Sequence, residues 1–157
     1  MALEPGDEAP DFTLLDQEGN PFTLSTSLVE RKARHFVYFY PKADTPGCTT
    51  QACGLRDVLA DVGDTVVLGI SPDPPADLAA FDEKFGLGFP LLSDPAHLVA
   101  DEYGVWGDKT MYGRTYRGVI RSAYLIDLID GQARISQAWP KISPKDTPKK
   151  LLGAMAA

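Results

Sequence analysis

The two cysteines of the chain, Cys48 and Cys53, stand five positions apart in the segment PKADTPGCTTQAC, residues 41–53. The thiolate of cysteine is the form that acts as a nucleophile. Cys48 follows an apolar run at 35–40 that predicts a strand, and it precedes a run at 49–61 with apolar residues at helical spacing. Ligands collect at the carboxyl ends of strands in open α/β sheets, and free N–H groups at a helix start favour an anion. This position predicts a redox-active thiol at Cys48.

The spacing of the two cysteines limits how they can react with each other. On an ideal helix, residues five positions apart have Cα atoms separated by about 8.6 Å. Cysteines joined by a disulfide have Cα atoms no more than about 6.8 Å apart. A disulfide between Cys48 and Cys53 would therefore require the first turns of the helix to unwind. The cysteines of a C-x-x-C motif, one helical turn apart, close a disulfide without this rearrangement.

Two other interpretations of the cysteine pair, a metal site and an inert buried pair, remain open at this point. A metal site would need about four ligands, and the chain has only two cysteines and two histidines, His35 and His97, with no repeated ligand spacing. We therefore expect no metal, and we expect both histidines to be packing or surface residues. Cys48 could also be buried and inert, with Cys53 filling the core.

The residues before Cys48 disfavour an inert cysteine. Pro46 and Gly47 let the backbone approach a small ligand closely, and Thr45 offers a hydroxyl near the sulfur. Pro41 ends the preceding strand. Because Pro46 and Gly47 are poor residues for a helix interior, we expect no regular helix before Cys48.

Strand and helix patterns alternate along the chain, which predicts an α/β fold. Turn signals at 18–19 and at 130–131 predict an N-terminal hairpin and a second hairpin near the C-terminus. Buried strands are expected at 35–40 and 65–71. The remaining expected elements are a strand at 91–93 and helices at 49–61, 77–85, 97–103 and 147–155. We find no repeat or linker, so residues 1–157 are expected to form one domain.

Composition and charge exclude several classes of function. The net charge of −7 argues against nucleic acid, whose binding depends on Lys and Arg neutralising phosphates. No apolar run approaches the roughly 20 residues of a membrane helix. The acidic N-terminus lacks the features of a signal peptide, so we expect a cytoplasmic protein. In that reducing compartment, paired cysteines are more often catalytic or redox-active than structural.

The segment around Cys48 resembles the peroxiredoxin family, in particular the peroxiredoxin Q type, also called bacterioferritin comigratory protein. The family motif P-x-x-x-T-P-G-C-T is present as Pro41, Thr45, Pro46, Gly47, Cys48 and Thr49. Further blocks match the family in the same order along the chain, at 6–14 before the motif and at 69–73, 89–94, 103–107 and 121–127 after it. The resemblance therefore covers nearly the whole chain. It implies a thioredoxin-like fold, with a central mixed β-sheet flanked by helices and an N-terminal β-hairpin.

The resemblance also implies a function and roles for the motif residues. The protein would reduce hydrogen peroxide and organic hydroperoxides in antioxidant defence, with Cys48 as the peroxidatic cysteine that becomes a sulfenic acid. Thr45 would hydrogen-bond the thiolate, and the N–H groups of Gly47 and Cys48 would stabilise charge on the peroxide. Pro41 and Pro46 would shape the substrate pocket. Arg121, which opens the block at 121–127, would favour the thiolate; Arg114 and Arg117 are nearby competitors for this role.

The remaining implications concern the rest of the cycle. Cys53 would be the resolving cysteine and form an intramolecular disulfide with Cys48, which thioredoxin or a similar thiol reductant would reduce. The protein would act as a monomer without a cofactor. Gln51 departs from the family, which usually has glutamate there, so the resemblance does not specify its hydrogen-bond partners.

Two rival functions use the same thiols. A general thiol–disulfide oxidoreductase is disfavoured by the C-x4-C spacing, and failure to consume peroxide would revive it. A redox sensor, whose disulfide changes a partner surface, predicts stoichiometric oxidation with little turnover.

Overall fold

A computed structural model describes residues 2–155 as a seven-stranded mixed sheet, a separate two-stranded hairpin and five helices. The strands are β1 (Thr13–Asp16), β2 (Pro21–Thr23), β3 (His35–Phe39), β4 (Val66–Ser71), β5 (Leu91–Ser93), β6 (Trp106–Met111), β7 (Arg114–Val119), β8 (Ser122–Ile129) and β9 (Gln132–Trp139). The helices are α1 (Leu24–Arg31), α2 (Pro46–Val58), α3 (Pro75–Phe85), α4 (Leu98–Glu102) and α5 (Asp146–Met155), and a 3-10 turn, Leu59–Asp61, follows α2.

The strand order of the large sheet is β2-β1-β5-β4-β3-β8-β9. The predicted central strand β3 is buried along its whole length, parallel to β4 and antiparallel to β8. Because successive side chains of a strand face opposite sides, β3 contributes to two cores. Phe36 and Tyr38 face a core shared with α2, α3 and α5, whereas Val37 and Phe39 face a core shared with α1 and α4.

Both predicted hairpins are confirmed. Strands β1 and β2 pair antiparallel around the turn at 18–19, and β8 pairs with β9 around Asp130 and Gly131. The φ angles of these two residues, 52° and 79°, are those that a two-residue hairpin turn requires.

Helix α2 begins three residues earlier than the sequence predicts. The expectation that Pro46 and Gly47 exclude a regular helix before Cys48 is wrong, because Pro46 is the first residue of the helix. Proline is well tolerated there, since the N–H that it lacks would have no partner within the helix. Cys48 therefore lies inside the first turn rather than in front of it.

Helix α1 and the β6–β7 hairpin were not predicted. Helix α1 has only three buried residues among eight, so its apolar pattern is weak. The β6–β7 hairpin is largely exposed, and its strands lack the apolar alternation that marks a half-buried strand. Its two-residue turn, Tyr112 and Gly113, has φ angles of 53° and 77°.

Candidate active site

Cys48 is held in the first turn of α2, directly after the loop that follows the central strand β3. The side chain is buried, with 1% of its surface exposed. The N–H of Thr49 donates to the carbonyl of Thr45 at 2.8 Å, which closes the first turn. Within residues 2–155, no backbone hydrogen bond uses the N–H of Gly47 or Cys48. These two donors and the positive end of the helix dipole favour negative charge beside the sulfur.

Arg121 brings a second source of positive charge to the sulfur. It lies just before β8, which pairs with β3, and its Nη1 donates to the Cys48 Sγ at 3.5 Å. The carbonyl of Arg121 accepts from the N–H of Ile142 at 3.0 Å, which fixes its backbone. The competing Arg117 instead pairs with the exposed Asp108 on the hairpin, at 3.3 Å. Of the arginines considered, Arg121 is the one that contacts Cys48.

Gly47 permits the guanidinium to lie this close to the helix. A Cβ atom at position 47 would lie 3.2 Å from Arg121 Nη2 and 3.5 Å from Pro144 Cγ. Any larger residue would therefore press against the arginine that contacts the sulfur. This is a steric reason for glycine that does not depend on backbone flexibility.

Gln51 completes a buried chain of hydrogen bonds behind the cysteine. Arg121 Nη1 donates to Gln51 Oε1 at 2.7 Å, and Gln51 Nε2 donates to Thr147 Oγ1 at 2.9 Å. The Thr147 hydroxyl donates to the carbonyl of Ser143 at 2.8 Å, so it can only accept from Gln51. Arginine can only donate, so both ends of the amide are fixed by their partners. Both polar atoms of the Gln51 side chain therefore have a hydrogen-bond partner.

Thr45 lies in the expected position before the helix, but its hydroxyl has a different partner. Thr45 Oγ1 donates to the carbonyl of Lys42 at 2.8 Å and closes a turn of the loop. Among residues 2–155, no hydrogen bond joins Thr45 to Cys48. The proposed bond to the thiolate would need the hydroxyl to rotate away from this carbonyl.

The loop before Cys48 is held by Asp73, a residue for which the sequence analysis predicts no role. Asp73, just after β4, accepts hydrogen bonds from the N–H of Ala43 and the hydroxyl of Ser71, both at 2.7 Å. A salt bridge between Lys84 Nζ and Asp44, at 3.0 Å, adds a second contact from α3. Asp73 belongs to the block at 69–73, which was the only signal for it.

Of the two prolines expected at the substrate pocket, one lies at a surface groove beside the start of α2 and the other does not. Pro46 and Gly47 line an exposed groove of about 350 Å³ with Thr50, Ser143, Pro144 and Lys145. Pro41 is half-buried, but it is not among the residues that line this groove. The groove places Pro46 and Gly47 at a surface that a small ligand can reach.

Cys53 lies further along the same helix and is partly buried against the core that includes Cys48. Both cysteines are free thiols. Because both lie within the regular helix α2, the ideal-helix separation of about 8.6 Å applies to their Cα atoms. The reduced helix therefore holds the two sulfurs apart, and a disulfide requires it to open.

Both histidines make packing and hydrogen-bond contacts within the fold. His35 is fully buried, and its ring contacts the Ser27 hydroxyl at 2.7 Å and the Ala33 carbonyl at 3.0 Å. His97 stacks on the Trp106 ring, with centroids 3.8 Å apart, and pairs with Asp101 at 2.8 Å. Within residues 2–155, no cluster of three or more His, Cys, Asp or Glu could hold a metal ion. Over the same range, no helix has both the length and the apolar character to cross a membrane.

A buried cysteine at the start of the helix after a central strand, with an arginine against its sulfur, defines a thiol-based oxidoreductase site. The sequence matches the AhpC/TSA family over residues 5–129, and the chain belongs to this family. It is 50% identical to the peroxiredoxin Bcp of Escherichia coli over 127 residues, which cover 80% of each chain.

Solved structures agree with this assignment. The peroxidoxin BcpB of Mycobacterium tuberculosis superposes with a TM-score of 0.81 at 33% identity, covering 98% of this chain and 97% of that one. The bacterioferritin comigratory protein of Xanthomonas campestris gives a TM-score of 0.79 at 29% identity, covering 92% and 90%. The thioredoxin-like fold and the resemblance to the Bcp and peroxiredoxin Q type are confirmed. The chain is an oxidoreductase of the peroxiredoxin type.

Proposed function

We propose that this chain is a peroxidase that reduces hydrogen peroxide and organic hydroperoxides with Cys48 as the attacking thiol. The observation that carries the proposal is the contact of 3.5 Å between Arg121 Nη1 and the buried Cys48 Sγ at the start of α2. Alkyl peroxide reduction is the activity named for the Xanthomonas campestris relative, which supports the inclusion of organic substrates.

The first step is a nucleophilic displacement at oxygen. The Cys48 thiolate attacks the terminal oxygen of the hydroperoxide and the O–O bond breaks. The departing alkoxide takes a proton and leaves as an alcohol, and with hydrogen peroxide the departing hydroxide leaves as water. The sulfur becomes a sulfenic acid. Arg121 and the free N–H groups of Gly47 and Cys48 lie where they stabilise the charge that moves from sulfur to oxygen.

The second step returns the enzyme to its thiol form through Cys53. After α2 opens, the Cys53 thiol attacks the Cys48 sulfenic acid, an intramolecular disulfide forms and water leaves. A dithiol reductant such as thioredoxin then restores both thiols by exchange through a mixed disulfide. The location of both cysteines on α2 supports an intramolecular rather than an intersubunit disulfide. A monomeric protein acting in cytoplasmic antioxidant defence is part of this proposal.

The test is peroxide consumption coupled to thioredoxin, thioredoxin reductase and NADPH. Wild type is compared with Cys48→Ser and Cys53→Ser, which make the same change at the two sites. We expect Cys48→Ser to lose turnover with every reductant. Cys53→Ser should lose turnover with thioredoxin and recover part of it with a small external thiol. Absence of turnover in wild type with several reductants would contradict the proposal and favour a sensor or exchange function.

A further inference from the structure

A cavity of about 590 Å³ lies beside Arg121 and has no role in the steps above. It lies against the β6–β7 hairpin, and Arg121, which contacts Cys48, forms part of its wall. We call it the hairpin cavity, and its lining residues are Asp108, Lys109, Thr110, Ile120, Arg121, Lys141 and Ile142. Arg121 therefore borders both the sulfur of Cys48 and this space.

The hairpin holds Lys109 in a defined position on the cavity wall. Its Nζ donates to the carbonyl of Val119 across the hairpin at 2.9 Å. Its stem crosses Gly118, where an added Cβ would lie 3.3 Å from Lys109 Cδ. The side chain is half-buried. An ammonium has three N–H donors, so the bond to Val119 leaves two available.

The charge around the cavity is positive on balance. Burial lowers the pKa of Lys109, and repulsion from Arg121 lowers it further. Lys141 adds an exposed cation. Asp108 is the one acidic residue of the lining, and it is exposed and already pairs with Arg117 on β7. An anion in the cavity would therefore relieve the repulsion between Lys109 and Arg121.

We propose that the hairpin cavity is a subsite for the anionic group of an organic hydroperoxide that carries a carboxylate, with Lys109 as its specificity-determining residue. The inference rests on the proposed peroxidase function. The peroxide end reacts at Cys48 as before, and the O–O bond is the one that breaks. The carboxylate stays unchanged and pairs with Lys109, while Ile120 and Ile142 contact the apolar carbons between the two groups.

The experiment compares two substrates that differ only in charge, 3-hydroperoxy-3-methylbutanoic acid and its neutral methyl ester. The value of kcat/KM for each is measured in wild type, Lys109→Met, Lys109→Arg and Lys141→Met. Lys150→Met, on the exposed face of α5, is the matched control for loss of one surface charge. The ratio of acid to ester is the readout, because a folding defect lowers both rates and leaves their ratio unchanged.

We expect wild type to favour the acid, and the preference to weaken as salt is raised, because the pair is partly exposed. Lys109→Met should lower the ratio about fivefold, the size of one partly exposed ion pair. Lys141→Met should lower it less, and Lys109→Arg and Lys150→Met should keep it. An unchanged ratio in Lys109→Met, or no preference in wild type, overturns the subsite. Failure of both substrates in wild type instead overturns the peroxidase function itself.

Discussion

Gln51 connects Arg121 to the C-terminal helix α5 through donors and acceptors that can pair in only one way. Arg121 donates to its oxygen, and its nitrogen donates to Thr147, whose own hydrogen goes to Ser143. A glutamate at 51 can only accept, so Thr147 would have to give up its bond to the Ser143 carbonyl. Gln51 can therefore donate to Thr147 while the Thr147 hydroxyl keeps its own donated bond to Ser143.

We expect Thr147→Val to lower kcat/KM for hydrogen peroxide by roughly threefold to tenfold. Valine removes the acceptor for Gln51 Nε2, and an unpartnered buried amide costs about 1 kcal/mol or more. The amide is then free to rotate, and it no longer orients the Arg121 guanidinium against Cys48. Stopped-flow oxidation of the reduced protein gives the rate constant directly.

Thr147→Ser keeps the hydroxyl and is the control for this prediction. It should retain most of the activity and lose only the stability of one buried methyl group. Equal rate constants in the two variants would mean that the hydrogen bond does not position Arg121. Rate constants are compared per folded molecule, so that a loss of stability alone does not count as support.

Individual residues of the site differ in how far their contacts can be predicted from the sequence. The positions of Cys48 and Arg121 next to each other could be predicted, because the motif and the block at 121–127 carry them. The roles of Asp73, Lys109 and Thr147 could not. Gln51 and Thr147 are 96 positions apart, and no local spacing marks such a contact. The partner of the Thr45 hydroxyl depends on how the loop turns at Lys42, which a motif does not specify.

In the proposed cycle, helix α2 is stable when the cysteines are reduced and opens when they are oxidised. Oxidation by one equivalent of peroxide should reduce hydrogen-exchange protection at residues 49–53 by at least about tenfold, because a Cys48–Cys53 disulfide cannot fit on the helix. Mass spectrometry of exchanged peptides measures this change. Helix α3 serves as the internal reference and should keep its protection. Cys53→Ser should show no loss, and equal protection in both redox states of wild type would rule out the unwinding step.

Helices α2 and α5 approach closely at Gly54, where an added Cβ would lie 3.0 Å from Pro148 Cγ. The proline ring is rigid and cannot move aside as a flexible side chain would. Gly54→Ala should therefore destabilise the protein by about 1 kcal/mol net, the strain of overpacking outweighing the helix propensity of alanine. Denaturant unfolding at equilibrium measures the change.

Gly153→Ala is the matched control on α5. Nothing lies within 4 Å of a Cβ at this position, so the same change should stabilise the protein by up to about 1 kcal/mol. A stabilising Gly54→Ala would mean that the two helices separate easily, and that their contact does not hold α2 in its reduced form.

The elements that could be predicted are those whose burial leaves a pattern in the sequence. The buried strands β3 and β4 and the helix face of α2 have such patterns. The exposed β6–β7 hairpin does not, although it forms one wall of the cavity beside the active site. The start of α2 was predicted too late in the sequence because proline has two opposite effects. It disrupts a helix from an interior position but is favoured as the first residue of a helix.

The buried His35 makes the stability of the folded chain depend on pH. The Ala33 carbonyl can only accept, so Nδ1 carries the proton and Nε2 accepts from the Ser27 hydroxyl. Burial lowers the pKa of His35 below its ordinary value of 6.5, and nearby Arg31 also lowers it, against the effect of the backbone hydrogen bonds. As the pH falls, His35 in the unfolded chain therefore binds a proton at a higher pH than His35 in the folded chain.

The free energy of unfolding contributed by His35 should be fully present above about pH 6.5 and should fall as the pH drops below it. Urea unfolding of wild type and His35→Asn at pH 7.5 and pH 5.5 tests this. The variant should be less stable at both values, and its deficit should shrink at the lower pH because it lacks the titrating group. A deficit that is constant or grows at pH 5.5 would contradict the prediction.

Helix α2 is also the connection between the parallel strands β3 and β4, and this position provides spare chain length. The eight residues from Pro46 to Cys53 span about 12 Å as a helix and up to about 26 Å when extended. Opening the start of α2 therefore lengthens the segment between β3 and β4 and puts no tension on either strand. In the proposed cycle, Cys53 can reach Cys48 while both anchoring strands keep their register, so the sheet need not move.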